Sequence, residues 1–261
     1  MRITPREPYG RKPIRNMEVI RHVDYTEVRQ RCGTCLHRAR SAGQADLYEL
    51  EWEGHPSIMK DFNSCPWIFR VMLGRGICSR EVRILKKLCG LEEVPELYAV
   101  AGSYAYVMEK IDGVRMPPRK HGQPSTVFWA RAKRAIQRMH DMGIAHGDLR
   151  LKNILIGPQD QAYLIDFATA VRLKRDVGFR ISNLLFRQCQ KVDRIKFARM
   201  KAYYDPQLLD DDERMWLRSE PFYLKMGRVM KKRVYRMTKM RKWGDKIRRI
   251  RRWFGRRFGT D

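Results

Sequence analysis

The stretch His146-Gly147-Asp148-Leu149-Arg150-Leu151-Lys152-Asn153, followed by Leu164-Ile165-Asp166-Phe167, carries side chains whose spacing can do chemistry. Asp148 and Asn153 stand five residues apart on a short loop, and Asp166 closes an apolar strand. A carboxylate able to take a proton, beside an amide oxygen and a second carboxylate, is the base-and-metal arrangement that moves the terminal phosphoryl group of ATP. That group is highly charged and passes through a loose transition state, so catalysis consists of alignment and charge neutralisation. Asp148 is expected to accept a proton from the attacking hydroxyl or to orient it. Asn153 and Asp166 offer hard oxygen ligands of the kind that suit Mg2+ on phosphates.

The flanking elements are placed to present these groups. Residues 125–142 read as a helix, with Pro124 and Ser125 as start signals and Gly143 as the stop. Phe128, Ala132, Ala135, Ile136 and Met139 fall on one face of it. After Asn153, residues 154–156 form a short apolar strand. Gly157-Pro158-Gln159-Asp160 turns the chain, and residues 162–167 return as a second strand. Further upstream, residues 47–52 and 57–62 read as two strands joined by Glu53-Gly54-His55-Pro56. Glu81, Leu85 and Leu88 share one face of a later helix, which turns the Glu81 carboxylate inward with the apolar residues.

Taken together, the His-Gly-Asp-Leu loop, Asn153 and Asp166-Phe167 resemble the protein-kinase-like superfamily. Within it, His-Gly-Asp-Leu is closest in flavour to RIO-type kinases and to bacterial lipopolysaccharide-core sugar kinases. The resemblance covers roughly residues 40–210 and is strongest over 106–167. It implies a two-lobed α+β fold, with a small antiparallel-sheet lobe and a short helical lobe. It also implies that Lys60, in Ile58-Met59-Lys60, is the phosphate-binding lysine and that Glu81 is its anionic partner. A solvated strand lysine and a surface helix glutamate are the plainer readings of these two residues. Glu109 and Ile111 fall where backbone groups would meet the adenine edge, with Met108 limiting pocket depth. Ser41-Ala42-Gly43-Gln44-Ala45-Asp46 stands where a phosphate-covering loop is expected. Gly43 is its one glycine, and an ordinary polar turn fits as well. Arg150, two residues after Asp148, stands where many kinases place a charge-stabilising lysine.

Departures from the family pattern point away from a regulated peptide kinase. Position 147 is Gly where regulated kinases carry the Arg that pairs with a phosphorylated loop. Position 168 is Ala instead of Gly, and no Ala-Pro-Glu follows between residues 169 and 193. Residues 192–203 are similar to a late helix of lipopolysaccharide kinases, and an ordinary amphipathic helix explains them equally.

The chain has 261 residues and a net charge of +26, from 55 basic and 29 acidic residues. Its expected organisation is a basic arm over 1–25, a small lobe and hinge over 26–113, a minimal large lobe over 114–220 and a basic amphipathic segment over 221–261. The large lobe is expected to close with helices near 182–203 and 210–217. Residues 225–257 hold 16 Lys or Arg and one acid, Asp245. Met226, Met230, Val234, Met237, Met240 and Trp243 recur there every three or four residues. A basic helix with an apolar stripe fits a membrane-surface anchor. Docking on the large lobe and RNA binding, with Tyr235, Trp243 and Trp253 stacking on bases, are the rival readings.

The uncharged run over residues 97–108 is 12 long, short of the roughly 20 needed to span a bilayer. The N-terminus lacks an apolar signal region, so the expected location is the cytoplasm, at the inner face of a membrane. Cys32, Cys35, Cys65, Cys78, Cys89 and Cys189 form no secreted disulfide framework, and Cys32-Gly33-Thr34-Cys35 lacks a second ligand pair for zinc. The expected partners are ATP, Mg2+ and a hydroxyl acceptor. A glycolipid sugar is favoured as acceptor, a protein Ser or Thr comes second, and a kinase-fold binding module without turnover is the alternative from another class.

Overall fold

The computed structural model describes residues 20–39, 44–65, 74–173 and 179–219. Residues 40–43, Gly43 among them, the arm before residue 20 and the basic segment from residue 220 onward lie outside the described residues. The fold is mixed α+β. Its main sheet has six strands in the order β1-β5-β6-β4-β3-β2. These are β1 (Arg21–Val23), β2 (Cys35–His37), β3 (Asp46–Trp52), β4 (His55–Asp61), β5 (Leu97–Ala101) and β6 (Ala105–Glu109). All neighbours pair antiparallel except β1, which runs parallel to β5 and brings residues 21–23 into the sheet.

The β3–β4 hairpin is tighter than its sequence suggests. Only Glu53 and Gly54 form the turn, both with positive φ (50° and 80°), and Trp52 pairs directly with His55. Two left-handed residues match the natural twist of a hairpin, and Gly54 adopts that conformation without cost. Pro56, expected in the joint, lies inside β4 opposite Glu51. It is tolerated because it sits near the strand start, where its carbonyl still accepts from the Lys110 amide (3.0 Å).

Side-chain alternation divides the sheet into two faces. Met59, Val107 and Ala99 lie on one, packed with Leu50, Trp52 and Val28 of α1 (Tyr25–Gln30). Cys32 belongs to this packing, with its sulfur 3.4 Å from Met59 Sδ. Lys60 and Tyr106, paired across β4 and β6, point to the other face, where α2 (Arg75–Lys87) packs against β5 and β6. Glu81, Leu85 and Leu88 are buried there on one side of the helix chain.

The helical part is organised around α3 (Thr126–Asp141). Ser125 caps it by accepting from the Phe128 amide (3.0 Å), and Gly143 leaves it at φ 72°. Phe128, Ala132, Ala135, Ile136 and Met139 are all buried, as the periodicity requires. Against α3 lie β8 (Ile144–Ala145), the hairpin β9 (Ile154–Ile156) and β10 (Ala162–Leu164), and α4 (Phe179–Tyr204). β7 (Val114–Arg115) pairs with β9, and β11 (Val171–Arg172) with β8. The strand expected over 162–167 ends at Leu164. The Ile165 amide turns to the Asn153 carbonyl (3.0 Å), and Asp166 takes a left-handed φ of 68° that extended pairing does not allow. The last helix, α5 (Asp211–Arg218), begins with a reciprocal cap: the Glu213 amide donates to Asp210 Oδ1 (2.9 Å) and the Asp210 amide to Glu213 Oε2 (3.1 Å).

Candidate active site

The centre of the site is a cation held by two carboxylates from distant elements. Lys60 Nζ donates to Glu81 Oε1 (2.7 Å) and to Asp166 Oδ1 (3.2 Å). Burial alone would lower the Lys60 pKa, but the two carboxylates outweigh it and hold the ammonium above its usual 10.5. Burial pushes Asp166 upward, yet Lys60 prevails and keeps that carboxyl below its usual 3.8. The Lys60 contribution to stability is full below its usual value and fades as pH rises through the raised folded value. The Asp166 contribution is present above its usual value and fades as pH falls through the lowered one. Both charges therefore stand ready throughout the neutral range.

The loop carrying Asp148 is fixed from beneath by α4. Asp193, fully buried, accepts from the amides of His146 (2.7 Å) and Gly147 (3.0 Å), and its Oδ2 lies 3.1 Å from His140 Nε2. His146 is buried as well. Its Nε2 lies 3.0 Å from the Ile165 carbonyl and its ring 5.0 Å from that of Phe167, which ties the loop to the segment bearing Asp166. Asp193→Ala leaves the buried His146 amide and the part-buried Gly147 amide without acceptors, so it is expected to cost about 3 kcal/mol of unfolding free energy. Urea denaturation checks this, and an unchanged midpoint would contradict it.

Gly147 is required by close approach. Its φ is +75°, and a Cβ there would sit 2.7 Å from the Thr169 carbonyl oxygen, a backbone atom. Any side chain, arginine included, would force the Asp148 loop away from the strip that follows Asp166. Gly147→Ala should destabilise the fold by about 2 kcal/mol, since strain at positive φ and overpacking act together. A thermal melt matching the parent protein would refute this reading of position 147.

Asp148 itself stands between two cations. Arg150 Nη2 pairs with its Oδ2, and Lys196 Nζ of α4 lies 3.6 Å from its Oδ1. Asn153 is buried, and its Nδ2 donates to the Asp148 carbonyl (2.9 Å), so its side-chain oxygen is the end able to accept from or ligate a partner. Asp166 gives Oδ1 to Lys60 and retains Oδ2. An amide oxygen and a carboxylate oxygen form a donor set that fits a hard divalent cation. The left-handed backbone at Asp166 is tolerated by Asp better than by most residues, and such conformations concentrate at functional sites.

The remaining sequence-based candidates are placed as follows. Glu109 ends β6, and its amide donates to the Glu96 carbonyl (2.8 Å), so that N–H is already used within the sheet. Ile111 follows in the loop, its carbonyl accepting from the Gly113 amide (3.0 Å). Gly43 lies outside the described residues.

A strand lysine bound to a helix glutamate and to the aspartate after a hairpin, beside a loop Asp and Asn, places the chain in the protein-kinase-like superfamily. Within that class, the RIO domain family model matches residues 69–208, and the chain belongs to that family. The match includes Glu81, Asp148, Asn153, Asp166 and Asp193 but begins downstream of Lys60, whose placement rests on its geometry.

The chain is similar to a 3-deoxy-D-manno-octulosonic acid kinase of Xylella fastidiosa strain M12. The two are 31% identical over 119 residues, 41% of this chain and 48% of the relative. It is also similar to a probable bifunctional tRNA threonylcarbamoyladenosine biosynthesis protein of Methanothermobacter thermautotrophicus, 31% identical over 129 residues, 48% of this chain and 23% of the relative. The chain thus spans about half the length, or less, of these curated relatives.

Two residues of the 192–203 helix to which the sequence reading gave no role of their own lie at the site, Asp193 and Lys196. The signal for Asp193 was present: it lies on the buried stripe of α4 with Phe186, Phe197 and Met200, where a carboxylate needs a specific partner. Lys196 carried no such mark, because its approach to Asp148 depends on tertiary packing.

Proposed function

We propose that the chain is an ATP- and Mg2+-dependent phosphotransferase with a hydroxyl acceptor. The observation that carries this reading is the joint contact of Lys60 with Glu81 and Asp166, beside an Asp148–Asn153 loop held in register. In it, Lys60 neutralises the non-transferring phosphates and Glu81 holds Lys60 in place. Asn153 and Asp166 hold Mg2+, which supplies charge neutralisation at the phosphates when bound. The adenine lies against backbone groups of Glu109 and Ile111; Gly43, proposed from the sequence as the phosphate-side glycine, lies outside the described residues. Asp148 positions the acceptor hydroxyl and takes its proton. The acceptor oxygen forms a bond to the terminal phosphorus as the bridging P–O bond to ADP breaks, and ADP leaves with those electrons. Arg150 steadies the charge on the transferring group.

As acceptor we favour a sugar hydroxyl of a membrane glycolipid of the lipopolysaccharide-core type. Similarity to the 3-deoxy-D-manno-octulosonic acid kinases supports this, as does the basic segment 225–257. On this reading residues 26–113 bind the nucleotide, 114–220 carry the acceptor side, and 221–261 lie on the cytoplasmic face of the membrane. No helix among the described residues is long and apolar enough to cross a bilayer. Near anionic lipid each Lys or Arg contributes about 1 kcal/mol, so deleting residues 225–261 should release the protein from anionic vesicles in a flotation assay. Equal flotation of both forms would remove the anchor and leave docking or RNA as the use of that segment.

A RIO-like Ser/Thr protein kinase is the second reading, favoured by the family match over residues 69–208. Incubation with γ-labelled ATP and Mg2+, offering glycolipid and protein extracts separately, distinguishes the two. Label in glycolipid supports the sugar kinase, and label in protein supports the second reading. Label in neither supports a kinase-fold binding module.

A further inference from the structure

Two cations, Arg150 and Lys196, face the Asp148 carboxylate at the acceptor side of the site, while buried Asp193 is turned to the backbone amides of His146 and Gly147. Arg150 reaches Asp148 from the loop itself. Lys196 comes from α4, and its ammonium donates to the Gly147 carbonyl (3.0 Å) while standing 3.6 Å from Asp148 Oδ1, beyond hydrogen-bond reach. A lysine ammonium has three donors, so this arrangement leaves Lys196 with donor capacity directed at whatever binds Asp148 Oδ1. Its side chain is 31% exposed, open to a ligand yet held in place by the Gly147 contact. The nucleotide side of the site is already supplied with a cation, Lys60, which contacts Glu81 and Asp166.

Resting on the phosphotransferase reading, we infer that Lys196 determines acceptor specificity by pairing with an anionic group carried next to the reacting hydroxyl. A hydroxyl that hydrogen-bonds Asp148 Oδ1 comes within a few ångströms of Lys196 Nζ. A carboxylate or phosphate on the neighbouring carbons then meets a positioned ammonium, whereas a neutral acceptor leaves that ammonium facing water. The acceptor class is therefore an acidic sugar, and neutral sugars of the same shape are discriminated against.

The test uses the full chain with MgATP and two acceptors of equal shape, the methyl glycoside of 3-deoxy-D-manno-octulosonic acid and the methyl ester of that glycoside, which lacks the charge. The parent protein is expected to prefer the acid by about tenfold in kcat/KM, as one charge-assisted contact would give, with the difference in KM. Lys196→Gln should bring the ratio close to one by raising KM for the acid, and Lys196→Arg should restore most of the preference. A parent ratio near one overturns the inference, as does equal loss of kcat for both acceptors in Lys196→Gln, which would put Lys196 on the transferring phosphate. Transfer to neither acceptor while ATP hydrolysis and MgATP binding persist also overturns it. Absence of MgATP binding and hydrolysis in the parent overturns the phosphotransferase reading, and this inference with it.

Discussion

Lys60→Met is expected to abolish phosphoryl transfer and to destabilise the fold by about 3–5 kcal/mol, because it leaves the Glu81 carboxylate buried without its cation. Glu81 is 1% exposed, so water cannot replace the lost partner. The two effects separate in a double variant. Lys60→Met with Glu81→Leu removes both charges and should recover most of the stability, since an apolar pair fills the same space. It should recover none of the transfer, since nothing then neutralises the phosphates. Urea unfolding with a transfer assay on the three variants reads both quantities. If Lys60→Met unfolds like the parent protein, the buried pair is not the structural element described above.

Asp148→Asn is expected to lower transfer about a thousandfold, the range removed with a positioned general base, while MgATP affinity stays nearly the same. The carboxylate lies between Arg150 and Lys196 and makes no contact with Lys60 among the described residues, in keeping with its proposed role at the acceptor. Loss should therefore fall on kcat. Pre-steady-state transfer with nucleotide binding followed separately distinguishes this from a folding defect, and undiminished turnover would remove Asp148 from its role.

Local pattern made much of this arrangement legible. The face of α3, the inward Glu81 on α2 and the strand position of Lys60 follow from helical and strand periods, and the structure joins the last two at 2.7 Å. Pattern failed where backbone conformation departs from the regular elements. Asp166 reads as the end of a strand because its neighbours are apolar, yet its φ of 68° ends the pairing at Leu164. Pro56 reads as a joint because proline usually interrupts strands, yet a two-residue turn at Glu53 and Gly54 leaves it inside β4. Gly147 reads as a missing arginine, whereas the Thr169 carbonyl is what excludes a side chain there. Asp193 and Lys196 act on a loop more than forty residues away, at the 46 and 49 positions that separate them from Gly147, and no local period reports such a contact.

The most direct measurement of the central claim is phosphorus NMR of MgATP incubated with the full chain and an acidic glycolipid. The ATP resonances should decline as those of ADP and a new phosphomonoester grow in equal amounts, and the Asp166→Ala protein should leave the spectrum unchanged. ATP that persists in the presence of the folded parent protein and acceptor, or ADP that accumulates with inorganic phosphate alone, would contradict the assignment of Lys60, Asp148, Asn153 and Asp166 to transfer between nucleotide and hydroxyl.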